Sequence, residues 1–449
     1  GVPLALFAGL LSALSRWALL LRDTTASGYD AWYYVLQVRS ILAGERLFDD
    51  DSLVFWFLAA MGRATGDVVL GDELSATLFA AGAATLGTAC AHRLGGPPGA
   101  AIAGAVLVAA TGHLSLSAEF LKNAAGLVAL CGTALALADR RWAWAIVATL
   151  LAVGLHKLSG VLALGLLLTV GVVDLGRRSR RAALSAGVAG GGLAVLVALA
   201  GAMRVVDLQR LIGVAEGGGR WQRLLHSSLE GPELVELALV HASPLLVPVA
   251  LMRGADRAMV VGLGALALVC AAPGLPFSFD ATAWRLLCMG FLPLALLLAA
   301  CRPPARLAAP LALLVLLATP GNVAAHARRS PDYAAWLEVL PTIRAQVPEG
   351  GRLVAHRGLC GFLWAEGGIR CENFEPDGDP EQVWRVAFGF SPERLAPYGE
   401  AVQLLPSYVL VPEPVWRAFR EAEAGRWSLL RDPRNPHQPR PAFVYRSGG

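Results

Sequence analysis

Two aspartates in one short segment are well suited to acid–base chemistry. Asp23 and Asp30 lie in residues 22–51, RDTTASGYDAWYYVLQVRSILAGERLFDDD, directly after the first long apolar run. Carboxylates at a membrane surface face water and can act on a substrate that arrives from the lipid, with Tyr29 beside Asp30 as a further contact. The alternative role for Asp30 is to cap the helix-like stretch that follows, which could lie along the membrane interface and end at Gly44.

A second polar group follows in the sequence SAEFLKN. Glu119, Lys122 and Asn123 are spaced i, i+3 and i+4, so one helix would present all three on the same face. Ionisable side chains at membrane depth are costly and usually face a cavity or a partner. Two interpretations fit this group: an internal Glu119–Lys122 pair, or a cavity-facing acid beside a lysine that binds phosphate.

Further cations suit an anionic head group. His156 and Lys157 separate two short apolar runs, and Arg285 lies one turn into another. The histidine and lysine could bind a lipid phosphate or could satisfy neighbouring backbone groups. Residues 204–236 combine a Gly-Gly-Gly hinge with arginines that include Arg204 and Arg220. This segment fits a lid over an anionic head group and, equally, an interfacial helix whose arginines reach lipid phosphates.

The composition indicates what must position these side chains. Of 449 residues, 55% are hydrophobic and 16% are charged, with a mean hydropathy of +0.54, whereas soluble domains carry roughly one quarter charged residues. A helix needs about 20 apolar residues to cross a bilayer. The sequence therefore predicts an α-helical polytopic membrane protein with about eleven crossings, at 1–21, 69–91, 97–113, 118–138, 142–155, 158–174, 182–202, 236–252, 258–273, 285–301 and 306–319.

Charge predicts the orientation, because Lys and Arg concentrate in short cytoplasmic loops. With residue 1 inside, each predicted inner loop is basic, through Arg93, Arg140 and Arg141, Arg177, Arg178, Arg180 and Arg181, Arg253 and Arg257, and Arg302 and Arg306. The N-terminus is then cytoplasmic, and residues 22–51 and the C-terminus lie outside. A single helix over 142–174 is the alternative, but it would place one of the arginine clusters outside.

The sequence changes character near Pro320. Residues 1–319 carry the apolar runs, whereas 320–449 alternate strand-like and helix-like pieces and predict a small extracytoplasmic α/β domain. Cys360 and Cys371 lie within it, and an oxidising compartment would permit a disulfide that the spacing alone does not fix. The net charge of +4 is concentrated in the loops, so no nucleic-acid partner is expected.

Taken together, these features resemble the GT-C superfamily of integral membrane glycosyltransferases. The resemblance rests on GYDAWYY with LAGERLFDDDSLVFWFLAA, on SAEFLKN, on LHKLSG and on the outer α/β domain. The superfamily includes oligosaccharyltransferase catalytic subunits, protein O-mannosyltransferases and bacterial aminoarabinose transferases. A WWDYG-like motif is missing from the sequence, which argues against the N-glycosylating branch.

The resemblance implies transfer of a sugar from a polyprenyl-phosphate-linked donor to an acceptor at the outer face of the membrane. Asp30 would be the general base, with Asp23 as a rival, and Glu119 would match the second acidic position. In some branches that position helps to hold a divalent metal such as Mg²⁺ or Mn²⁺. The ligand spacing here leaves the metal open. Positive groups such as Lys122, Arg204 and Arg285 would stabilise the departing phosphate.

Two other classes remain as alternatives. A transporter or lipid flippase would also be polytopic, but it would be expected to show paired halves and polar residues near the bilayer midplane. A membrane-anchored binding or assembly protein would use the outer domain for its partner. The many alanines, glycines and arginines suggest a GC-rich bacterium and a plasma-membrane location. The acceptor could be a lipid, a glycan or a protein.

Overall fold

The fold is that of a computed structural model, which describes residues 1–20, 26, 28, 30–45, 47–175, 231–271, 281–329, 333–355, 357–369, 371–372, 380–422, 427–430 and 442–445. Two compact units are present: a helical unit of Gly1–Arg22 and Asp49–Arg329, and a mixed unit of Asp23–Phe48 and Ser330–Gly449. Residues 23–48 thus group with the C-terminal part, whereas the division predicted from sequence places them in the domain 1–319.

The described helices are α1 (Val2–Leu20), α2 (Ala31–Leu42), α3 (Leu53–Thr65), α4 (Val68–Ala109), α5 (Thr111–Glu119), α6 (Leu121–Ala138), α7 (Trp142–Leu155), α8 (Lys157–Leu175), α9 (Gly231–Ala242), α10 (Leu246–Met252), α11 (Arg257–Ala271), α12 (Ala281–Met289), α13 (Phe291–Ala300), α14 (Ala305–Leu317), α15 (Thr319–Arg329), α16 (Tyr333–Gln346), α17 (Arg357–Ala365), α18 (Pro392–Leu395) and α19 (Glu413–Ala422). The described strands are β1 (Arg352–Val354), β2 (Cys371–Glu372), β3 (Val383–Phe388), β4 (Val402–Leu405), β5 (Tyr408–Pro412), β6 (Trp427–Leu430) and β7 (Ala442–Tyr445). Short 3₁₀ turns occupy Ser243–Leu245 and Pro380–Gln382.

The mostly helical, apolar architecture confirms the coarse prediction. Six helical segments in the described part are long and apolar enough to cross a membrane: Val2–Leu20, Val68–Ala109, Leu121–Ala138, Lys157–Asp174, Glu233–Met252 and Ala305–Ala327. Shorter apolar helices occupy Leu53–Thr65, Trp142–Leu155, Arg257–Ala271 and Trp284–Ala300. The count of eleven crossings stays a prediction, and the crossing at 182–202 lies outside the described residues.

Helix α4 spans two of the predicted crossings and bends between them. Gly96 has φ +67°, and Pro97 and Pro98 follow it. Proline removes the backbone N–H that would continue the helix, and a positive φ favours glycine, so the bend has a local cause. At the bend, a Cβ on Gly95 would lie 1.9 Å from the carbonyl oxygen of Ala299. Gly95 therefore allows the backbone of α4 to pack directly against the backbone of α13.

Ion pairs gather the predicted inner loops at one end of the helical unit, which we call the basic end. The guanidinium of Arg93 lies 2.9 Å from Asp139, and that of Arg140 contacts Asp174 at 2.9 Å and Asp256 at 2.5 Å. Burial alone would raise the pKa of Asp256, but hydrogen bonds from the Met259 N–H and from Arg140 lower this pKa overall. The loops between α6, α7, α8 and α11 therefore meet at this end.

The mixed unit is built on a five-stranded sheet in the order β2-β1-β3-β5-β4. Strand β1 pairs in parallel with β2 and β3, whereas β5 pairs antiparallel with β3 and β4. Strands β6 and β7 form a separate antiparallel pair. A disulfide joins Cys360 of α17 to Cys371 of β2. A buried ion pair, Arg385 to Glu413 at 2.9 and 3.2 Å, fixes the start of α19 to β3.

Helix α2 packs into this mixed unit. Its Trp32 is buried edge-to-face against Phe362 at 5.4 Å and Tyr333 at 5.9 Å between ring centroids. Val35 is fully buried on the same helix. The apolar face that suggested a helix along the membrane interface is thus covered by protein. Gly44 does follow the helix with φ +84°, in the conformation expected after a helix end.

Candidate functional site

The predicted polar residues of the helical unit gather opposite the basic end, where α5 meets α6 and α7 meets α8. Helix α6 shows the separation, because Lys122 lies at its start whereas Asp139 follows its end. We call this region the site end. Lys122 and Lys157 lie at helix starts and His156 in a connection, whereas Arg285 lies within α12. Polar side chains near helix ends can reach beyond the hydrocarbon region.

The loop before α3 contributes an acid that the sequence analysis did not select. Asp50 pairs with Lys122, and its other carboxylate oxygen accepts a hydrogen bond from the Ser52 N–H at 3.2 Å. The hydroxyl of Ser52 accepts from the Val54 N–H at 3.3 Å and donates to the Leu155 carbonyl at 2.5 Å. Ser52 therefore caps α3 and holds this loop to the end of α7.

Four predicted residues form what we call the cationic cluster: Lys122, His156, Lys157 and Arg285. The charges of Arg285, Lys122, Lys157 and Asp50 all act on the imidazole of His156. Aromatic rings hold two of the cations, since the Lys122 ammonium lies 5.5 Å from the Phe55 ring centre and the Arg285 guanidinium 4.7 Å from that of Phe120. The charges of Lys122, Lys157 and Arg285 thus all act on His156, and Asp50 contacts Lys122.

The histidine in this cluster is neutral near pH 7. His156 lies in the connection between α7 and α8, where burial and then the charges of Arg285 and Lys122 lower its pKa well below 6.5. Its Nδ1 lies 3.4 Å from the Ser159 hydroxyl. A Cβ on Gly126 would lie 2.4 Å from the same hydroxyl oxygen, so this glycine allows α6 and α8 to approach at the cluster.

Glu119 and Lys122 do not share one helix face, contrary to the sequence analysis. Helix α5 ends at Glu119, Phe120 has φ −130° and ψ 64°, and α6 begins at Leu121. The i, i+3 relation fails because it assumes an unbroken helix. Glu119 instead lies 3.8 Å from His326 of α15, and Lys122 pairs with Asp50. Asn123 is buried, and its Nδ2 has no hydrogen-bond partner within the described part of the chain.

Asp30 precedes α2 in the mixed unit. Its backbone has φ −94° and ψ −2°, and its side chain makes no capping hydrogen bond to the helix. The capping alternative for its carboxylate is therefore not observed. Four other predicted residues, Asp23, Tyr29, Arg204 and Arg220, lie outside the described residues. In the described ranges, no group of three or more His, Cys, Asp or Glu side chains could hold a metal ion.

A buried polar network holds the helix that ends in Glu119. The carboxylate of Glu236 accepts hydrogen bonds from the Thr111 N–H at 2.5 Å, the Thr111 hydroxyl at 2.6 Å and the Gly112 N–H at 2.9 Å. Arg16 donates to the Val108 carbonyl at 2.8 Å and lies 3.4 Å from the Ser117 hydroxyl. A carboxylate at a helix N-terminus accepts hydrogen bonds from the free N–H groups and interacts favourably with the positive end of the helix dipole. The network therefore fixes α5 from both sides.

Asp50, Glu236 and His326 were not predicted from the sequence. Asp50 was visible only as part of an Asp-Asp-Asp run that equally suits a solvated loop. Glu236 caps a helix that lies 125 residues away in the chain, and His326 sits in a helix beyond the last predicted crossing. No local spacing marks such residues, because their partners are distant in sequence.

Comparisons with known proteins give structural likeness only. No family model matches the chain. No curated protein sequence matches it. A solved structure of ArnT from Cupriavidus metallidurans bound to undecaprenyl phosphate superposes with a TM-score of 0.53 at 14% identity, over 91% of this chain and 97% of ArnT.

The oligosaccharyltransferase of Archaeoglobus fulgidus is also similar. Its structure with a tethered acceptor peptide containing the NVT sequon gives a TM-score of 0.51 at 12% identity, and its apo form gives 0.52 at 11%. Each likeness covers 82% of this chain. The chain spans only 63% and 64% of the length of those two oligosaccharyltransferase chains.

Proposed function

Because this chain has the GT-C fold, as the likeness to ArnT and the oligosaccharyltransferase shows, we propose that it is a membrane glycosyltransferase. It moves a sugar from a polyprenyl-phosphate-linked donor to an acceptor at the outer face of the membrane. The observation that carries this proposal is the cationic cluster at the site end. A phosphate ester whose tail stays in the lipid is the ligand that such a cluster suits.

The cluster supports phosphate binding through charge and partial burial. Lys122 has a side-chain exposure of 21%, and its partner Asp50 of 24%, so both are partly withdrawn from water. Electrostatic attraction strengthens as the local dielectric falls. Lys122, Lys157 and Arg285 would hold the phosphate of the donor and stabilise its growing negative charge as the sugar leaves. His156, being neutral, could add a hydrogen bond without adding charge.

We assign the general base to Asp30. Its carboxylate would take the proton from an acceptor hydroxyl as that oxygen bonds to the anomeric carbon and the bond from this carbon to the phosphate oxygen breaks. The electron pair stays on the departing polyprenyl phosphate. Asp23 remains the rival.

A divalent cation would neutralise phosphate charge if one binds, and Glu119 is the acid that the resemblance assigns to it. The described residues around Glu119 supply His326 at 3.8 Å and no third ligand of the usual types. This set does not by itself fit Mg²⁺, which prefers six oxygen ligands. No step of the proposed reaction is therefore routed through a metal.

The proposed location is the plasma membrane of a bacterium, with the N-terminus in the cytoplasm and the C-terminal α/β domain outside. The ion pairs at the basic end support this orientation, because they join the loops in which arginine is concentrated. The site end then faces outward. The proposed partners are a lipid-linked sugar donor and an acceptor whose class, lipid, glycan or protein, remains to be tested.

A transfer assay tests the proposal with the full chain in proteoliposomes and a pool of radiolabelled prenyl-phosphate sugars. We expect Asp30→Asn to lower transfer by about 10²-fold or more, because general-base catalysis contributes at least that much, while donor binding is retained. Glu45→Gln is the matched control, since Glu45 is an exposed carboxylate of the same segment. Full transfer by Asp30→Asn would refute the assigned base.

The same vesicles separate the alternative classes. Transbilayer movement of the lipid without sugar transfer would favour a flippase. Neither transfer nor movement, with a partner retained by the outer unit, would favour an assembly protein.

A further inference from the structure

The acid within the cationic cluster is the feature that the proposed function does not use. Asp50 pairs with Lys122, and its charge acts on His156 together with those of Arg285 and Lys157. Lys122 is the cation in direct contact with this carboxylate. Its second oxygen accepts the Ser52 N–H at 3.2 Å, so the acid is held toward the cluster by its own loop.

The carboxylate of Asp50 occupies the lysine that a phosphate would otherwise bind. The prenyl phosphate released by the proposed transfer is a monoester with a charge of about −1.5 to −2 near neutral pH, whereas the sugar-linked donor is a diester with a single negative charge. With the ester bound, Asp50 would stand beside it as a like charge, which is unfavourable in a partly buried site. The carboxylate and the phosphate are thus competitors for Lys122.

The loop is built so that the side chain can move while the backbone stays. Ser52 donates its hydroxyl to the Leu155 carbonyl at 2.5 Å, and its oxygen caps α3. These bonds hold the backbone independently of the Asp50 side chain. Rotation of the Asp50 side chain would release Lys122 and break the hydrogen bond from the Ser52 N–H, while the bonds of the Ser52 hydroxyl would still hold the start of α3.

We propose that Asp50 is a placeholder for the phosphate of the lipid substrate: it neutralises Lys122 in the empty site, yields the lysine when the phosphate binds, and takes it back when the lipid phosphate leaves. This inference rests on the proposed function and concerns the regulation of the same site. The residue is a positioning residue, since it acts through Lys122. Its effect is to limit affinity and so to favour release of the product lipid.

Binding measurements on the full chain in nanodiscs test the placeholder directly. The probes are farnesyl phosphate, farnesol and inorganic phosphate, and the proteins are wild type, Asp50→Asn and the control Asp49→Asn, which changes an exposed neighbour. We expect Asp50→Asn to bind farnesyl phosphate about tenfold more tightly, as removal of a competing charge in a partly buried site predicts. Farnesol binding and the Asp49→Asn protein should be unchanged.

The phosphate arm identifies the source of the anion. If Asp50→Asn increases the affinity for farnesyl phosphate more than the affinity for inorganic phosphate, the result supports a lipid phosphate site. The placeholder role would be overturned if Asp50→Asn increased the affinity for inorganic phosphate alone. Unchanged or weaker binding of farnesyl phosphate by Asp50→Asn would overturn it as well.

Kinetics and a second set of variants separate this inference from the proposed function. In the transfer assay, Asp50→Asn should lower KM and also lower kcat, and Asp50→Glu should restore both, which a merely structural role would not do. If Lys122→Gln weakens farnesyl phosphate binding while Asp50→Asn changes nothing, the placeholder is wrong and the proposed function stands. If wild type does not bind farnesyl phosphate and Lys122→Gln has no effect, the proposed function itself fails.

Discussion

At the scale of single residues, the site depends on which charges are paired. The sequence supplies Lys122, His156, Lys157 and Arg285, but their role is set by an acid from another segment, Asp50. Partial burial makes each of these pairings matter more than it would at an open surface. His156 shows this most clearly, because burial first and then the charges of Arg285 and Lys122 keep its imidazole neutral.

This neutrality predicts how stability depends on pH. Because the pKa of His156 in the folded protein lies well below 6.5, the unfolded chain takes up a proton between these values that the folded chain does not. Stability must therefore fall as pH drops below about 6.5, by up to about 1.4 kcal/mol per pH unit from this residue. We expect His156→Gln to be less sensitive to pH than wild type in thermal unfolding between pH 7 and pH 5.

The comparison contains its own control. Between pH 7.5 and pH 8.5 His156 is neutral in both states, so wild type and His156→Gln should show parallel pH dependence there. Parallel curves below pH 6.5 as well would contradict the lowered pKa.

At the scale of elements, glycine and proline decide where helices approach and bend. Helix α4 bends at Gly96 with two prolines behind it, and Gly95 lies against the backbone of α13. The break at Phe120 separates α5 from α6 and turns Glu119 away from the face that holds Lys122. The sequence shows the prolines plainly, whereas nothing in SAEFLKN marks the break.

The close approach at Gly95 makes a testable prediction about packing. Gly95→Ala would place its Cβ 1.9 Å from the Ala299 carbonyl oxygen, so α4 and α13 must separate. We expect a loss of roughly 1–3 kcal/mol, as is typical of overpacking, measured as a lower thermal unfolding temperature in detergent.

Gly165→Ala is the matched control, because a Cβ at this position of α8 meets no atom within 4 Å. It should be neutral or slightly stabilising, since alanine favours a helix by about 1 kcal/mol over glycine. Equal effects of the two substitutions would show that the contact of α4 with α13 is not the cause.

At the scale of the whole molecule, orientation is the property on which the proposed function depends. Single cysteines at Asp49 and Arg141 report the site end and the basic end, since both positions are exposed. Labelling of the native cysteines should be low, because Cys90, Cys131, Cys270 and Cys288 are buried. The substitution Cys301→Ser removes the one free cysteine in the described residues that is only half-buried. We expect an impermeant maleimide to label Asp49→Cys from outside intact cells, and Arg141→Cys only after the membrane is opened.

The opposite labelling pattern would place the cationic cluster in the cytoplasm and remove the outer-face reaction. The disulfide between Cys360 and Cys371 offers a second check, since a thiol reagent should reach these two cysteines only after reduction if their unit is extracytoplasmic.

The sequence by itself predicted a helical, multi-pass membrane protein that resembles the GT-C superfamily, and it supplied the members of the cationic cluster; the likeness of fold came from the comparison of structures. Hydropathy, the charge of short loops and the positions of prolines depend only on residues close together in the chain, so they can be recognised without a structure. Only the tertiary structure decided that Asp50 pairs with Lys122, that Glu236 caps α5, and that α2 buries Trp32 in the mixed unit. These contacts join residues far apart in the chain, and their energies depend on burial and distance, which packing creates.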